Sequence, residues 1–367
     1  MENEKSKLER ARDIIDRVDR EMAALFIQRM EAAHLVAEYK REHGLPVLDA
    51  AREEAVIRRN AEYLMDADEA VRDCYVGFLR ETMAVSRHYQ TRLMSGMRIA
   101  FCGTEGAFAH IAAGKIFPSA ERVAFSSFSD AYDAVVSGDC DAVVLPLENS
   151  SAGEVGQVSD LIFSGSLYVN GTYDLAVKHD LLILPEANLD DVREVYSHPQ
   201  ALNQCAPFIK ANRLIEHEYV NTALAAEYVA KKGDPTVAAI ASEQAAELYG
   251  LKVAVSGINE TSNNTTRFGV LSRSRRRMTE GRGMDMRFIL MFTVRHEAGS
   301  LAKAIEIIGK YGYNMQALRS RPMKELLWQY YFYVEAEGNV DTENGGAMMK
   351  ELASCCDQLK LIGSFVK

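Results

Sequence analysis

Met97-Arg98-Ile99-Ala100-Phe101-Cys102-Gly103-Thr104-Glu105-Gly106 is where the chain changes character. Upstream, from Leu8 to about Leu93, glycine and proline are nearly absent and apolar residues recur at spacings of three and four. Downstream, short apolar runs alternate with helical stretches. The quoted segment is the first of these units: an apolar run, a pair of glycines that permit a tight turn, then the start of a helix. It divides an all-helical segment from an α/β one.

Going back toward the N-terminus, Leu8, Ala11, Ile15, Val18, Met22, Leu25, Arg29, Ala33 and Val36 trace one long amphipathic helix. His43-Gly44-Leu45-Pro46 ends it, and helical patterns follow over 50–64 and 70–93. Going forward, strand-like runs fall at 98–101, 123–125, 142–145, 195–197, 237–240, 253–255 and 268–271. The alternation predicts α/β architecture with largely parallel sheets, and its length fits two lobes. The stretch 167–184 holds two short strand-like runs, 168–169 and 181–184, suited to crossovers between lobes with a cleft at their junction. An Arg-rich stretch, Arg273-Ser274-Arg275-Arg276-Arg277 to Gly283, reads as a solvated linker. The tail reads strand 286–294, helix 300–311, strands 314–319 and 327–336, helix 342–355 and strand 359–365, the βαββαβ order of a ferredoxin-like α+β fold. The expected organisation is therefore multidomain: an all-α domain over 1–95, a two-lobed α/β domain over 97–273, a linker over 274–284 and an α+β domain over 285–367.

Composition excludes several classes. The 367 residues are 48% hydrophobic and 26% charged, with no apolar run near the ~20 residues of a membrane helix. The charged N-terminus lacks the apolar core of a signal peptide, so a cytoplasmic location is expected, with no membrane partner. The net charge of −10 argues against nucleic acid as a partner. The six cysteines form no CxxC and no spacing with histidine suited to zinc; neither a metal nor another cofactor is expected.

On the first helix Arg29 lies about 20° around the axis from Val18 and Met22, and Lys40 about 20° from Arg29, so two cations sit on the apolar stripe. One such residue is ordinarily a long side chain reaching for water. Two favour an anion held inside the bundle. Arg12, roughly 100° away, faces a different neighbour. Asp49, Arg52 and Glu53 open the second helix, and Ser86 and Gln90, four apart, share a face of the third. Residues 8–93, through Arg12, Arg29, Lys40, Asp49, Arg52, Glu53, Ser86 and Gln90, resemble the all-helical chorismate mutases. The resemblance implies an intertwined dimer, arginines clamping the two carboxylates of chorismate, Lys40 and Gln90 donating to the ether oxygen, Asp49 and Glu53 accepting from the ring hydroxyl, and Arg12 reaching the site of a partner copy.

In the α/β segment Gly103-Thr104-Glu105-Gly106 offers backbone N–H groups at a helix start but is not the dinucleotide fingerprint GxGxxG. Pro146-Leu147-Glu148-Asn149-Ser150-Ser151-Ala152-Gly153 follows a strand, at the end where open α/β sheets bind ligands, although an ordinary capped turn would look the same. Ser197-His198-Pro199-Gln200 to Gln204 repeats the arrangement; His198 beside Pro199 reads as structural. No nucleophile-elbow spacing supports a hydrolase triad. These stretches, with Asn264-Thr265-Thr266-Arg267-Phe268, resemble prephenate dehydratase over residues 98–272. The resemblance implies Thr266 as donor to the departing hydroxyl of prephenate, Arg267 on a substrate carboxylate, and Glu148, Asn149, Ser150, Ser197, Gln204, Thr265 and Phe268 lining the cleft. Ala107-Phe108-Ala109 departs from the family, which carries hydroxyl side chains there.

The tail resembles the ACT-type regulatory domain, which implies a phenylalanine effector held by Gly299, Ser300 and Leu301 together with Ser320, Arg321 and Pro322, between two copies of the domain. Ser300 replaces the usual Ala and Arg319 replaces an acidic residue. Taken together the chain looks like a bifunctional chorismate mutase/prephenate dehydratase of phenylalanine synthesis, assembled as a homodimer or homotetramer. The rival reading is a two-lobed, amino-acid-sensing binding protein without turnover, in which the buried cations have no purpose.

Overall fold

The computed structural model describes residues 6–261, 263–278, 285–323 and 329–367, which form two compact units, 1–97 and 98–367. Residues 279–284 of the expected linker and the first residues of the strand expected at 327–336 lie outside the described residues.

The first unit is helical. Helix α1 (Lys7–Glu42) opens on a capping box, in which the Ser6 hydroxyl accepts from the Glu9 amide and the Glu9 carboxylate accepts from the Ser6 amide. It ends where Gly44 takes φ +64°, a conformation open to glycine. Asp49 caps α2 (Ala50–Glu62) and Asp68 caps α3 (Glu69–Ser95). Only the C-terminal part of α1 is covered, where Ala33 and Ala37 let α3 approach. Ile14, Ile15, Val18, Met22, Leu25, Phe26 and Ile27 remain exposed.

The second unit carries two lobes and a C-terminal sheet. Strand β1 (Arg98–Cys102) is followed by α4 (Phe108–Ile116), β2 (Glu121–Phe125), α5 (Phe128–Val136), β3 (Ala142–Asn149), the short β4 (Gly153–Glu154), α6 (Gly156–Ser164) and β5 (Tyr168–Ala176). The chain crosses to the second lobe through β6 (Asp180–Ile183), β7 (Glu194–Ser197), α7 (Pro199–Gln204), α8 (Ala206–Ala211), β8 (Ile215–Glu218), α9 (Thr222–Lys232), β9 (Val237–Ala241), α10 (Glu243–Tyr249) and β10 (Lys252–Val255). It returns through β11 (Thr265–Ser272). The sheet orders are β2-β1-β3-β11-β5, with β4 on β3, and β10-β6-β9-β7-β8.

The sheets are mixed, which corrects the largely parallel arrangement expected from the alternation. β11 re-enters the first lobe between β3 and β5 and runs antiparallel to both, and β6 runs antiparallel to β9 and β10. Each crossover reverses the chain before it pairs, and strand-helix alternation carries no record of that reversal. The run expected at 168–169 extends to Ala176 as β5, because β11 pairs with its whole length.

The two crossovers lie side by side. The Val177 amide donates to the Asn264 carbonyl at 2.8 Å and the Ile258 amide to the His179 carbonyl at 2.8 Å. From the first lobe, the Gly106 turn lies against the second, where an added Cβ would make ordinary contact with Ala223, Ala245 and Leu248 at 3.4–3.5 Å. Its φ of +81°, rather than crowding, is what favours glycine there.

The C-terminal sheet, in the order β13-β14-β12-β15, consists of β12 (Met286–Val294), β13 (Met315–Pro322), β14 (Tyr330–Glu337) and β15 (Cys356–Val366), with α11 (Ser300–Lys310) and α12 (Glu343–Ala353) on one face. This realises the βαββαβ order. Alternation in β12 sends Phe288, Leu290 and Phe292 under the helices and Ile289 and Met291 into the first lobe, where they share a core with Val143, Leu167, Val169 and Leu271. Each fully buried aliphatic side chain there contributes ~1.5–3 kcal/mol. At Gly363 on β15 a Cβ would lie 1.8 Å from the Val169 carbonyl oxygen, so the docking of this sheet on β5 depends on a bare backbone.

Candidate active sites

In the helical unit the stripe cations meet the polar residues of α3. Arg29 donates to the Thr82 carbonyl at 3.3 Å and, closer still, to the Ser86 hydroxyl. Lys40 donates to the Val47 carbonyl and, at 3.3 Å, to Gln90 Oε1. Ser86 and Gln90 are buried at 6% and 8% exposure. Burial holds the Arg29 guanidinium below its ordinary pKa. Glu53 is ion-paired to Arg87, and the Asp49 carboxylate caps α2 through the Arg52 amide at 2.9 Å. Arg12 sits roughly 25 Å along α1 from Arg29 at 1.5 Å per residue, beyond reach of its own chain's cluster. The structure thus gathers Arg29, Lys40, Ser86 and Gln90 along one helix seam, places Asp49 at the cap and Arg52 and Glu53 in the first turn of α2, and leaves Arg12 exposed.

At the junction of the two lobes the polar groups form a chain whose direction can be worked out atom by atom. Asn149 Oδ1 accepts from the Ser151 and Ala152 amides at 3.0 and 2.9 Å. Backbone N–H groups only donate, so the other end of this side chain is its NH2. That group donates to Thr266 Oγ1 and to Asn264 Oδ1, both at 2.9 Å. Asn264 Nδ2 in turn donates to Gln204 Oε1 at 2.8 Å. Thr266, 9% exposed, therefore accepts from Asn149, and its own O–H is left to donate elsewhere. Gln204, with Oε1 occupied, has only its Nε2 hydrogens to offer a ligand.

The other candidates of this site are placed differently. Ser150 ties the returning strand down, its hydroxyl donating to the Asn263 carbonyl and accepting from the Thr265 amide. Ser197 is fully buried and donates to the Ile240 carbonyl at 2.6 Å, linking β7 to β9. Phe268 is 2% exposed in the sheet. His198 caps α7, its Nδ1 accepting from the Gln200 amide.

Strand alternation sends Arg267 and its cross-strand neighbour Glu148 to the face opposite Thr266 and Asn149. There Arg267 pairs with Asp174 at 2.9 Å and with Glu335 of β14 at 3.5 Å; the hydrogen bond to Asp174 raises its pKa further. Glu148 is paired with Arg319 of β13 at 2.6 Å. Glu335, 3% exposed, also holds Arg287 at 2.9 Å, and the Arg319 guanidinium lies over the Tyr333 ring. Arg319 is thus a cation bound to the first lobe.

In the C-terminal sheet, Gly299 takes φ +86° as the cap of α11. Beside it a cavity of about 540 Å³ is lined by Arg295, His296, Ala298, Leu301, Tyr330 and Phe332 among others. Residues 320–322 are not in its described lining: Ser320 and Pro322 are exposed on β13, and Arg321 points at Asp160 (3.4 Å) of the first lobe.

Sequence reasoning missed Asn264 as a site residue and missed His179, Arg287 and Glu335 altogether. Asn264 had a signal, standing two residues before Thr266; Arg287 and Glu335 are polar residues within strands, and His179 sits in the polar triplet Lys178-His179-Asp180.

The two sites define a protein with an all-helical unit carrying two cations on one seam, a two-lobed α/β cleft and a C-terminal regulatory-type domain. The family model for chorismate mutase type II matches residues 11–91 and that for prephenate dehydratase residues 99–276. The bifunctional chorismate mutase/prephenate dehydratase of Neisseria gonorrhoeae is 32% identical over 360 residues, covering 96% of this chain and 95% of that protein. A solved structure described as GqqA, a novel type of quorum quenching acylase, is 30% identical with a TM-score of 0.67, covering 73% of this chain and 97% of its own. The prephenate dehydratase of Arthrobacter aurescens, described as a complex with L-Phe, has the same fold at 22% identity, TM-score 0.68, covering 74% and 90%. The chain belongs to the bifunctional chorismate mutase/prephenate dehydratase family. It carries both activities of the aromatic amino acid pathway, with chorismate and prephenate as substrates. Among the described residues no helix is long and apolar enough to cross a membrane.

Proposed function

We propose that the chain works in the cytoplasm as a homodimer or homotetramer that turns chorismate into phenylpyruvate in two steps, with domains over 1–95, 97–273 and 285–367, and that phenylalanine limits the second step. In the helical unit Arg29 and Arg52 clamp the carboxylates of chorismate, Lys40 and Gln90 donate to the ether oxygen as its bond breaks, and Ser86, Asp49 and Glu53 orient the ring side. Arg12 completes the site of a second copy, which the exposed apolar face of α1 suits. No cofactor is needed for a pericyclic step.

In the second step the bond to the ring carboxylate breaks, its electrons aromatise the ring and the hydroxyl leaves; the Thr266 O–H donates to that oxygen as charge develops on it. The observation that carries this reading is the Asn149 amide donating to Thr266 Oγ1, which frees the Thr266 proton for the leaving group. Gln204 offers donors to a carboxylate of prephenate, Ser150 and Thr265 hold the loop, and Ser197 and Phe268 set the cleft wall from within the sheets. Glu148 and Arg267 serve at the opposite face, as the link to the C-terminal sheet. Phenylalanine, the ligand named for the Arthrobacter aurescens protein, is proposed to bind near Gly299, Ser300 and Leu301, with Ser320, Arg321 and Pro322 supplied across a contact between two copies.

The test follows chorismate loss and phenylpyruvate formation in one cuvette. The wild type forms phenylpyruvate, and Thr266→Ala accumulates prephenate at an unchanged mutase rate; near-normal phenylpyruvate from Thr266→Ala refutes the role.

A further inference from the structure

The hydrogen-bonded chain that ends at Thr266 does not begin at Gln204. His179 Nε2 lies 3.0 Å from Gln204 Oε1, the oxygen that already accepts from Asn264. An amide oxygen offers only lone pairs, so His179 must be the donor there, with its proton on Nε2. The other nitrogen, Nδ1, is buried and has no hydrogen-bond partner among the described residues, which suits a neutral ring in the Nε2–H form. His179 is 3% exposed and held on every side: its backbone N–H donates to Asn259 Oδ1 at 3.1 Å, its carbonyl accepts from Ile258, and the Phe108 ring meets it edge-on at 5.6 Å. It stands at the first crossover between lobes, bonded backbone to backbone to the second.

We propose that His179 is a positioning residue for the dehydration step, whose Nε2–H fixes the Gln204 amide and, through Asn264 and Asn149, the rotamer from which Thr266 donates. The inference rests on the reading of Thr266 given above. Two donors occupy Gln204 Oε1, and they arrive from different crossovers: Asn264 from the segment leading into β11 and His179 from the segment leading into β6. With both in place the Gln204 amide has one orientation, and Asn264 has one acceptor at a fixed point. Without His179, Gln204 is held from one side only, and every amide between it and Thr266 gains freedom to turn. A donor displaced by about 1 Å costs on the order of 100-fold in rate. The ring does not reach the reacting atoms; it acts through the amides.

The test uses the full chain with His179→Phe, which keeps the ring and removes the donor, and His179→Gln, whose amide nitrogen falls near Nε2. The expected result is a dehydratase kcat at least ~10-fold lower for His179→Phe and within about threefold of wild type for His179→Gln, with the mutase rate of the same preparations unchanged. A merely space-filling role predicts the reverse order, since phenylalanine fills the site better than glutamine. His179→Phe within threefold of wild type, or His179→Gln no better than His179→Phe, overturns the proposal. Nitrogen-15 shifts of the wild-type ring give a reading that needs no variant: a protonated Nε2 and a bare Nδ1 are expected, and the opposite tautomer contradicts it. If Thr266→Ala is inactive while His179→Phe is active, this inference alone fails; an active Thr266→Ala removes both.

Discussion

Thr266 and Arg267 are adjacent in the chain and work in different surroundings. Thr266 belongs to a neutral face built from amides, with Asn149, Asn264 and Gln204 passing one hydrogen-bond direction along. Arg267 belongs to an ionic face, with Asp174 and Glu335 around it and the Glu148–Arg319 pair beside it. The same pair of strands, β3 and β11, supplies both. The neutral face keeps a weak acid aimed without ionising anything near it, as suits a step in which negative charge leaves. The ionic face joins the catalytic lobe to the regulatory sheet by pairs whose strength depends on where that sheet sits. A movement of β13 and β14 would act on the strand that carries Thr266 from behind, without entering the cleft.

The difference can be broken at several points. The largest effect is expected on the neutral face: Thr266→Ala removes the donor and lowers dehydratase kcat by ~10²–10⁴, measured with prephenate, while the mutase rate holds. On the ionic face, Glu335→Ala takes the closest partner from the buried Arg287 guanidinium, leaving only the longer contacts to Asp285 at 3.5 Å and Glu337 at 4.0 Å, and costs ~1–3 kcal/mol, to be read as a lower unfolding midpoint of the second unit while the helical unit is unaffected. Gly363→Ala forces the sheet off β5 and costs ~1–3 kcal/mol, with any phenylalanine response weakened more than basal dehydratase activity.

A pH series sharpens the contrast further. Burial lowers the pKa of His179, and of His110 on α4, below the ordinary value of about 6.5. Above that value both rings are neutral folded and unfolded, and stability is complete. As pH falls below it the unfolded chain takes up protons that the buried rings refuse, so stability declines by up to ~1.4 kcal/mol per pH unit for each ring until its folded pKa is reached. His179→Gln should remove one ring's share of that slope in denaturant titrations between pH 5 and 7; an unchanged slope would mean the ring protonates freely when folded. The smallest effect is expected for Arg319→Ala. Both partners of that pair are partly exposed, so at most ~1 kcal/mol of stability is at stake, and the change should appear in the response to an effector rather than in basal rate.

Much of this was legible in the sequence. The start of the second helix at Asp49, the glycine break at Gly44 and the βαββαβ tail follow from local chemistry. The cations Arg29 and Lys40 could be placed on the apolar stripe of α1 because a helix fixes angles from residue number alone; that the stripe meets α3 there is shown by the structure. What was not legible depends on pairing. The antiparallel entry of β11 is set by where a crossover returns, and only that entry brings Asn149 against Thr266 and Glu148 against Arg267. A resemblance treats Thr266-Arg267-Phe268 as one motif, whereas strand alternation divides it between two faces. His179 carried no pattern, being one of the three polar residues Lys178, His179 and Asp180 ahead of the apolar run of β6.

The division between the faces is tested most directly by Asn149→Asp. A carboxylate at that position can still accept from the Ser151 and Ala152 amides, so the turn should survive. It cannot donate to Thr266, and it would instead capture the Thr266 proton, turning the hydroxyl away from the substrate. The account predicts a dehydratase kcat at least ~100-fold below wild type, with the mutase rate unchanged in the same preparation. A dehydratase kcat within about threefold of wild type would contradict it.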